Sequence, residues 1–256
     1  MTLKALIFDV DGTLGETEEA HRAAFNEAFA AFGYPFFWDE ALYAELLKVG
    51  GSRERMLHFV RRFEPEAALR FEAEVDRIFA FKTERYGARV AAGQVELRPG
   101  VSRLIAEAVA AGVRLAVSTT TGRQNVEALM LACLGRDVLD RFEVFSTGDT
   151  VRRKKPDPEL YLNALAMLGL PADACLALED SEVGATAAAR AGIAVAMTPS
   201  RYTADDPLDL AVAAVDHLGD PGNPCRPLAG EKPAGAFVTL ADLGRWLEAA
   251  GRASTT

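Results

Sequence analysis

The stretch FDVDGT, residues 8–13, ends an apolar run on two acidic side chains. In an extended backbone Asp9 and Asp11 lie on the same side, about 7 Å apart along the chain. This spacing suits phosphoryl transfer, because one carboxylate can attack phosphorus while the other reaches the oxygen that leaves on the far side. Gly12 then lets the chain turn sharply and approach a phosphate group closely.

Polar side chains also follow the later predicted strands: Ser118, Thr119, Thr120, Thr121, Lys154, Lys155, Glu179 and Asp180. Ligands of open parallel sheets bind beyond the carboxyl ends of the strands, so we expect these residues to share one pocket with the two aspartates. Carboxylates packed this closely repel one another unless a cation lies among them. Oxygen ligands that also meet phosphate indicate Mg²⁺.

Five short apolar runs predict the strands that carry these residues. They cover residues 3–10, 113–120, 143–149, 174–180 and 193–199. Most are almost wholly apolar, as strands covered on both faces must be. Between them, apolar residues recur at helical spacing and each stretch closes at or near a glycine. This alternation predicts an α/β fold with a Rossmann-like parallel sheet and helices on both faces.

Residues 16–93, which we call the inserted segment, show no convincing strand. Apolar residues recur at helical spacing from Phe25 to Phe32, and amphipathic stretches cover 52–63 and 66–86. So long a stretch is too large for a loop. It predicts a small all-helical module that follows the first strand directly.

The remaining chain is expected to form the sheet unit and a tail. The sheet unit comprises residues 1–15 and 94–203. Residues 204–256 are rich in Pro, Gly and Asp and turn helical at 240–249. We expect this C-terminal extension to wrap the surface or to pack on the sheet unit.

Composition narrows the functional classes. The chain has 256 residues and a net charge of −9, which disfavours nucleic-acid binding. No apolar run is long enough to predict a membrane span. Cys133, Cys175 and Cys225 form no CxxC pair, and the N-terminus has no signal-peptide pattern, so we expect a reducing, cytoplasmic setting. We also expect a monomer that draws an anionic substrate in through local positive groups.

The ordered set Asp9-Val10-Asp11-Gly12-Thr13, Thr119, Lys155-Pro156 and Glu179-Asp180 resembles the four motifs of the haloacid dehalogenase superfamily of phosphohydrolases, over about residues 3–200. The inserted segment is similar to the smaller mobile cap of that superfamily. The resemblance implies that Asp9 is the nucleophile that forms an aspartyl-phosphate. It implies that Asp11 is the general acid and then the base.

The same resemblance implies the remaining roles at this centre. Thr119 and Lys155 would hold the phosphoryl oxygens. Mg²⁺ would be bound by Asp9, Asp180 and the carbonyl oxygen of Asp11, with Glu179 close by or acting through water. Lys155 is preferred over Lys154 because the lysine of the superfamily commonly precedes proline, although the doublet leaves both open.

A calcium loop is the main alternative interpretation of the D-x-D-G motif. Counted from Asp9, it would need glycine at position 14 and glutamate at position 20. The chain has Leu14 and Ala20 there, which disfavours an EF-hand.

The loop KVGGSRER, residues 48–55, resembles the specificity loop of the β-phosphoglucomutase-like branch, where an arginine faces the distal part of a phosphosugar. Arg53 matches that arginine. Longer stretches, including FKTERY and KKPDPELYLNALAMLG, resemble the CbbY family, which removes a phosphate from xylulose 1,5-bisphosphate, an inhibitor of Rubisco. The substrate-binding residues expected from these resemblances are Glu18, His21, Gly51, Arg53, Lys82, Thr120 and Thr121.

These observations favour a Mg²⁺-dependent phosphatase acting on a small phosphorylated sugar, with xylulose 1,5-bisphosphate the leading substrate. A phosphosugar mutase could share every core residue and differ only in how long water is excluded. A phosphoglycolate phosphatase and a non-catalytic phosphosugar-binding protein are further alternatives. A dehalogenase is disfavoured, because that chemistry has no use for Asp11 or for the metal-site acids.

Overall fold

The computed structural model describes residues 2–253. Within this range one sheet has the strand order β3-β2-β1-β4-β5-β6-β7. Neighbouring strands are parallel except β6 and β7, which are antiparallel. The strands are β1 (Ala5–Phe8), β2 (Arg114–Ser118), β3 (Phe142–Ser146), β4 (Cys175–Glu179), β5 (Ala194–Met197), β6 (Ala211–Val215) and β7 (Pro227–Gly230).

The predicted α/β fold and its first five strands are confirmed, with each strand end within three residues of the expected position. Successive residues of β1 point to opposite faces of the sheet. Leu6 and Phe8 join one hydrophobic core, whereas Ala5 and Ile7 join the other. Because β1 is buried on both faces between β2 and β4, Asp9 leaves the sheet near its centre.

Helices cover both faces of this sheet. Helices α5, α6 and α10 pack on the face of Leu6 and Phe8, and α8 and the alanine-rich α9 pack on the other face. The helices of the described residues are α1 (Glu18–Ala31), α2 (Glu40–Leu47), α3 (Ser52–Phe63), α4 (Ala68–Ala91), α5 (Val101–Ala110), α6 (Arg123–Leu134), α7 (Arg136–Leu139), α8 (Glu159–Leu168), α9 (Glu182–Arg190) and α10 (Leu240–Ala253). None of them, within residues 2–253, is both long and apolar enough to cross a membrane.

The inserted segment contains α1 to α4, and no strand forms within it. It has an aromatic core of its own, in which Phe29 contacts the rings of Trp38, Phe59 and Phe71. Helices α1 and α4 also pack against the core of the sheet unit, through side chains such as Tyr86. The segment is therefore anchored beside the carboxyl end of β1.

The C-terminal residues contribute more to the sheet unit than the sequence suggested. Strands β6 and β7 extend the sheet beyond β5, and α10 buries Trp246 against it. The expectation that these residues wrap the surface or pack on the sheet unit did not include the two added strands. Strand β6 reads AVAAV, and alanine has low strand propensity, so its place in the sheet comes from burial beside β5.

Candidate active site

A cavity of about 420 Å³ lies between the carboxyl ends of the central strands and the inserted segment. The sheet unit contributes Asp9, Asp11, Lys155 and Asp180 to its lining. The strand order places β1 between β2 and β4, which brings the residues after these strands to one edge. Of the side chains predicted to share this pocket, Thr120, Thr121, Lys155 and Asp180 line the cavity with the two aspartates, whereas Ser118, Thr119, Lys154 and Glu179 do not.

Lys155 connects two of the acidic side chains. Its Nζ donates to Asp9 Oδ1 (2.7 Å), to Glu179 Oε1 (2.6 Å) and to the carbonyl oxygen of Ser118 (2.8 Å). The neighbouring Lys154 points elsewhere and pairs with Glu54 of the inserted segment (2.8 Å). Of the two lysines, the structure brings Lys155 to the acidic cluster.

Burial and charge shift the pKa values of this cluster. Burial raises the pKa of Asp9, and the negative charges of Glu179 and Asp180 raise it further. These effects together outweigh the lowering by Lys155. Burial alone would lower the pKa of Lys155, but Asp9 and Glu179 raise it above its ordinary value. Burial raises the pKa of Asp180 to about 7, although a hydrogen bond from Ser200 opposes this. A cation near the cluster would favour its ionised forms.

The cluster fits a hard divalent cation. Asp9, Glu179 and Asp180 each offer an oxygen within 4.8 Å of the others, and all three residues are buried. Lys155 supplies one positive charge for three carboxyl groups. Glu179 Oε2 is buried with no hydrogen-bond partner among the described residues. An all-oxygen donor set with excess negative charge suits Mg²⁺.

Asp11 lines the cavity and is held by three donors. Thr17 Oγ1 (2.6 Å) and His21 Nε2 (3.0 Å) contact Asp11 Oδ1, and Thr121 Oγ1 donates to Oδ2 (2.5 Å). Burial raises the pKa of Asp11, but His21 and the three hydrogen bonds outweigh it, so this pKa lies below its ordinary value. Asp11 is therefore an oriented carboxylate in this arrangement.

His21 contacts a buried lysine and a tyrosine ring on the side away from Asp11. Lys82 Nζ lies 2.6 Å from His21 Nδ1, and the imidazole stacks on Tyr86 with ring centroids 3.8 Å apart. Burial and the Lys82 ammonium lower the pKa of His21 more than Asp11 raises it. Because Nδ1 accepts a hydrogen bond from Lys82, the neutral imidazole carries its proton on Nε2. This N–H donates a hydrogen bond to Asp11. We assign this tautomer from the hydrogen-bond network.

Comparisons with known proteins identify the family of this chain. Residues 3–192 match the family model described as haloacid dehalogenase-like hydrolase. The chain belongs to this family. The predicted superfamily and the prediction of an enzyme are thereby confirmed.

Relatives of this hydrolase confirm the narrower resemblance as well. Protein CbbY (plasmid) of Cupriavidus necator is 46% identical over 95% of this chain and 96% of its own. A crystal structure of a CbbY variant from Rhodobacter sphaeroides, in complex with xylulose 1,5-bisphosphate, has a TM-score of 0.79 and 44% identity, covering 84% of this chain and 95% of that chain. β-Phosphoglucomutase of Bacillus subtilis is 31% identical over 75% of this chain and 81% of its own.

Most predicted substrate residues of this hydrolase line the cavity: Glu18, His21, Gly51, Thr120 and Thr121. Thr119 lies just beneath, where its Oγ1 accepts a hydrogen bond from the N–H of Thr121 (3.1 Å) and shapes the turn after β2. Lys82 is fully buried behind His21 and is not part of the lining. The expected direct contact of Thr119 and Lys82 with substrate is therefore not seen in the cavity lining.

Arg53 is not brought to the cavity. Its Nε pairs with Asp76 of α4 at 2.6 Å, and its side chain is 42% exposed. Arg55 lines the cavity instead, with its Nε donating to Leu46 O (3.1 Å) and its Nη1 to the hydroxyl of Tyr43 (3.2 Å). Two positions on a helix differ by about 200°, so the two arginines of α3 face opposite sides.

Several residues around the site carried no clear signal in the sequence: Thr17, Tyr43, Lys48, Arg55, Ser200, Tyr202 and Thr203. Thr17 precedes His21 by four positions, and this helical spacing could have placed both on the face towards Asp11. The hydroxyl residues after β5 lie in a loop, where their types are common and no periodicity applies.

Proposed function

We propose that this hydrolase is a Mg²⁺-dependent sugar-bisphosphate phosphatase whose natural substrate is xylulose 1,5-bisphosphate. The observation that carries the proposal is a cavity with positive groups at both ends. Lys155 lies beside Asp9 at one end, and Arg55 and Lys48 line the inserted-segment side. The CbbY variant crystallised with this bisphosphate supports the choice of substrate.

The reaction begins at Asp9 in this proposal. An Asp9 oxygen bonds to phosphorus while the bond from phosphorus to the sugar oxygen breaks, and Asp11 gives that oxygen a proton. A water molecule then loses its proton to Asp11 and attacks phosphorus, which releases phosphate and restores Asp9. Asp11 is ionised at rest; the approaching anionic phosphate raises its pKa, so Asp11 takes up a proton from solvent as the substrate binds and has it available for the leaving oxygen.

Charge on the transferred group must be neutralised throughout. Lys155 is the protein cation next to Asp9, and it would contact the phosphoryl oxygens. Mg²⁺, held by Asp9, Asp180 and the carbonyl oxygen of Asp11, would neutralise further negative charge when bound. Glu179 keeps Lys155 in place, since its Oε1 accepts from both Lys155 and the hydroxyl of Tyr161.

The second phosphate would lie against the inserted segment. Arg55 is buried and fixed by Tyr43, which also donates to Glu18 Oε2 (2.6 Å). The exposed Lys48 and the first N–H groups of α3, near Gly51, add positive potential on the same side. A fixed guanidinium with further donors suits a phosphate that is bound but not transferred.

A phosphosugar mutase is the second candidate. The similarity to β-phosphoglucomutase favours it, because both activities can share every core residue. A phosphoglycolate phosphatase fits less well, since so small a substrate would leave the Arg55 end of the cavity unused. A non-catalytic binding protein would have no need of both Asp9 and Asp11.

We also propose that the protein acts in the cytoplasm as a monomer. Cys133, Cys175 and Cys225 are free thiols in the structure, which suits a reducing compartment. Sedimentation of the purified chain would distinguish a monomer from a dimer.

Phosphate release across a panel of substrates tests the proposal. The panel contains xylulose 1,5-bisphosphate, ribulose 1,5-bisphosphate, phosphoglycolate and glucose 1-phosphate, each with and without Mg²⁺. We expect kcat/KM for the first compound to exceed the others by about tenfold or more. Equal or better activity on phosphoglycolate would refute the substrate, and isomer formation from glucose 1-phosphate with an activating bisphosphate would favour the mutase.

A further inference from the structure

Four residues after β5, Ser200 to Thr203, contact both the metal-site acid and the inserted segment; we call them the bridge segment. Ser200 Oγ donates to Asp180 Oδ2 (2.7 Å), and Thr203 Oγ1 contacts the same oxygen (3.0 Å). The N–H of Ser200 donates to Thr203 Oγ1 (2.8 Å), which closes the turn. Both hydroxyl groups are buried on residues that line the cavity.

The two middle residues of the bridge segment, Arg201 and Tyr202, contact the inserted segment. The hydroxyl of Tyr202 donates to Glu19 of α1, and its ring meets Tyr43 of α2 edge-on, with centroids 5.5 Å apart. Arg201 pairs with Glu40 of α2. Arg201 is exposed, so its ion pair contributes little, and Tyr202 is the principal contact with the inserted segment.

The base of the bridge segment is firmly held. The buried guanidinium of Arg98 donates to the carbonyl oxygens of Gly12, Thr198 and Pro199. It thereby ties the turn after β1 to the residues that lead into the bridge segment. The Asp180 carboxylate packs against the backbone of Gly12, where an added Cβ would lie 2.1 Å from Asp180 Oδ2. The Asp180 side chain therefore has little room to rotate on its own. A displacement of Tyr202 must therefore turn the short segment and disturb the hydrogen bonds on Asp180.

We infer that the bridge segment couples docking of the inserted segment to the orientation of Asp180, with Ser200, Tyr202 and Thr203 as positioning residues. The inference rests on the proposed function in one respect, that Asp180 is a Mg²⁺ ligand. Two hydroxyls on Oδ2 hold the carboxylate in one rotamer for the cation. Because coupling is reciprocal, loss of the Tyr202 contact weakens Mg²⁺ binding, and Mg²⁺ strengthens docking of the inserted segment.

Calorimetric titration of the substrate-free protein with Mg²⁺ tests the inference. Thr203→Val removes the hydroxyl and keeps the shape, and it should weaken Mg²⁺ binding by about tenfold or more. Thr203→Ser keeps the hydroxyl and should restore most of the affinity. Tyr202→Phe removes only the hydroxyl that reaches Glu19 and should weaken binding by about fivefold or more.

A matched control is available within the inserted segment. Tyr34 donates to Glu74 (2.7 Å), and neither residue lines the cavity, so Tyr34→Phe should leave Mg²⁺ affinity unchanged. Melting temperatures would verify that each variant is folded. The double variant Thr203→Val with Tyr202→Phe should lose less affinity than the product of the two single losses, as coupled residues do.

The outcomes separate this inference from the proposed function. Wild-type Mg²⁺ affinity in Tyr202→Phe, together with weakened binding in Thr203→Val, would overturn the coupling. Wild-type affinity in Thr203→Val would overturn the positioning role while leaving the phosphatase intact. Failure of the wild-type protein to bind Mg²⁺ would refute the proposed function itself, and the inference with it.

Discussion

Arg53 and Arg55 are two positions apart on α3 and have opposite surroundings. Arg53 forms an ion pair with Asp76 outside the cavity, whereas Arg55 is buried and lines it. The resemblance to the β-phosphoglucomutase-like loop pointed to Arg53. A sequence motif matches residue types along the chain and does not show which residues of a helix face the cavity. The two residues therefore offer a matched pair for locating the second phosphate.

We predict that Arg55→Met raises KM for xylulose 1,5-bisphosphate by about tenfold or more, since a lost charge-assisted hydrogen bond costs about 1.5–3 kcal/mol. Arg53→Met should change KM little. Steady-state kinetics on the bisphosphate and on glucose 1-phosphate, which has one phosphate, would check this. A loss for Arg55→Met of equal size on both substrates would contradict a role at the second phosphate.

A second prediction concerns the buried ammonium of Lys82. Burial lowers its pKa from 10.5 to about 7. Below pH 7 the group is charged in both folded and unfolded chains, and the folded state bears the full cost of the buried charge. Between about pH 7 and 10.5 the lysine is protonated in the unfolded chain and neutral in the folded chain. The unfavourable contribution of Lys82 to the free energy of unfolding therefore becomes smaller as pH rises.

Lys82→Met should therefore alter the pH dependence of unfolding. The free energy of unfolding of this variant, relative to that of the wild type, should fall by about a few kcal/mol as pH rises from 7 to 10.5. This difference scales with the difference in the pKa of Lys82 between the folded and unfolded chains. Denaturant titrations at several pH values measure this difference. Lys232→Met, at an exposed position, is the control and should follow the wild-type curve. Parallel curves for Lys82→Met and wild type would contradict the prediction.

The sequence predicts the acids and the lysine of the centre because each directly follows a strand or belongs to an ordered motif. It does not predict Thr17, Ser200 or Thr203. Hydroxyl residues are frequent in loops and helix starts, and only the folded chain shows that they converge on Asp11 and Asp180.

At the scale of elements, α9 must lie very close to the end of β4. A Cβ at Gly184 would lie 1.9 Å from Glu179 Oε2. Glycine is unfavourable in a helix interior by up to about 1 kcal/mol relative to alanine, so its presence in α9 reflects this close approach. The helix thereby supports Glu179 and, through it, the position of Lys155.

We predict that Gly184→Ala lowers both stability and activity. Displacement of Glu179 should cost about 1–3 kcal/mol, more than the gain in helix propensity, and should move Lys155 from Asp9. Gly87→Ala in α4 is the control, because no atom lies within 4 Å of an added Cβ there. Thermal unfolding and phosphatase assays compare the two. A stabilised, fully active Gly184→Ala variant would contradict the proposed support of Glu179.

Strands were predictable where an apolar run is buried on both faces of the sheet, as in β1 (Ala5–Phe8). Strand β7 (Pro227–Gly230) was not, because it is a short edge strand with mostly exposed residues and a proline at its start. Edge strands form through pairing with a neighbour, and β7 pairs with β6, itself an alanine-rich strand. Local sequence carries little information about such pairing.

At the scale of the molecule, the strand order explains why distant motifs meet. Residues 9, 119 and 180 follow β1, β2 and β4, which are neighbours, and residue 155 reaches the same edge from beyond β3. Lys154, Arg201 and Tyr202 of the sheet unit connect this edge to glutamates of the inserted segment. With a net charge of −9, the protein relies on the local cations of this cavity to hold an anionic substrate.

The account depends on a covalent bond between Asp9 and phosphorus that requires a divalent cation. A single turnover with xylulose 1,5-bisphosphate, quenched in acid and examined by mass spectrometry of the Asp9 peptide, tests it most directly. We predict phosphate on Asp9 with Mg²⁺, and none after chelation or in Asp9→Asn. Phosphate release that continues undiminished after chelation, or phosphate found on another residue, would contradict the account.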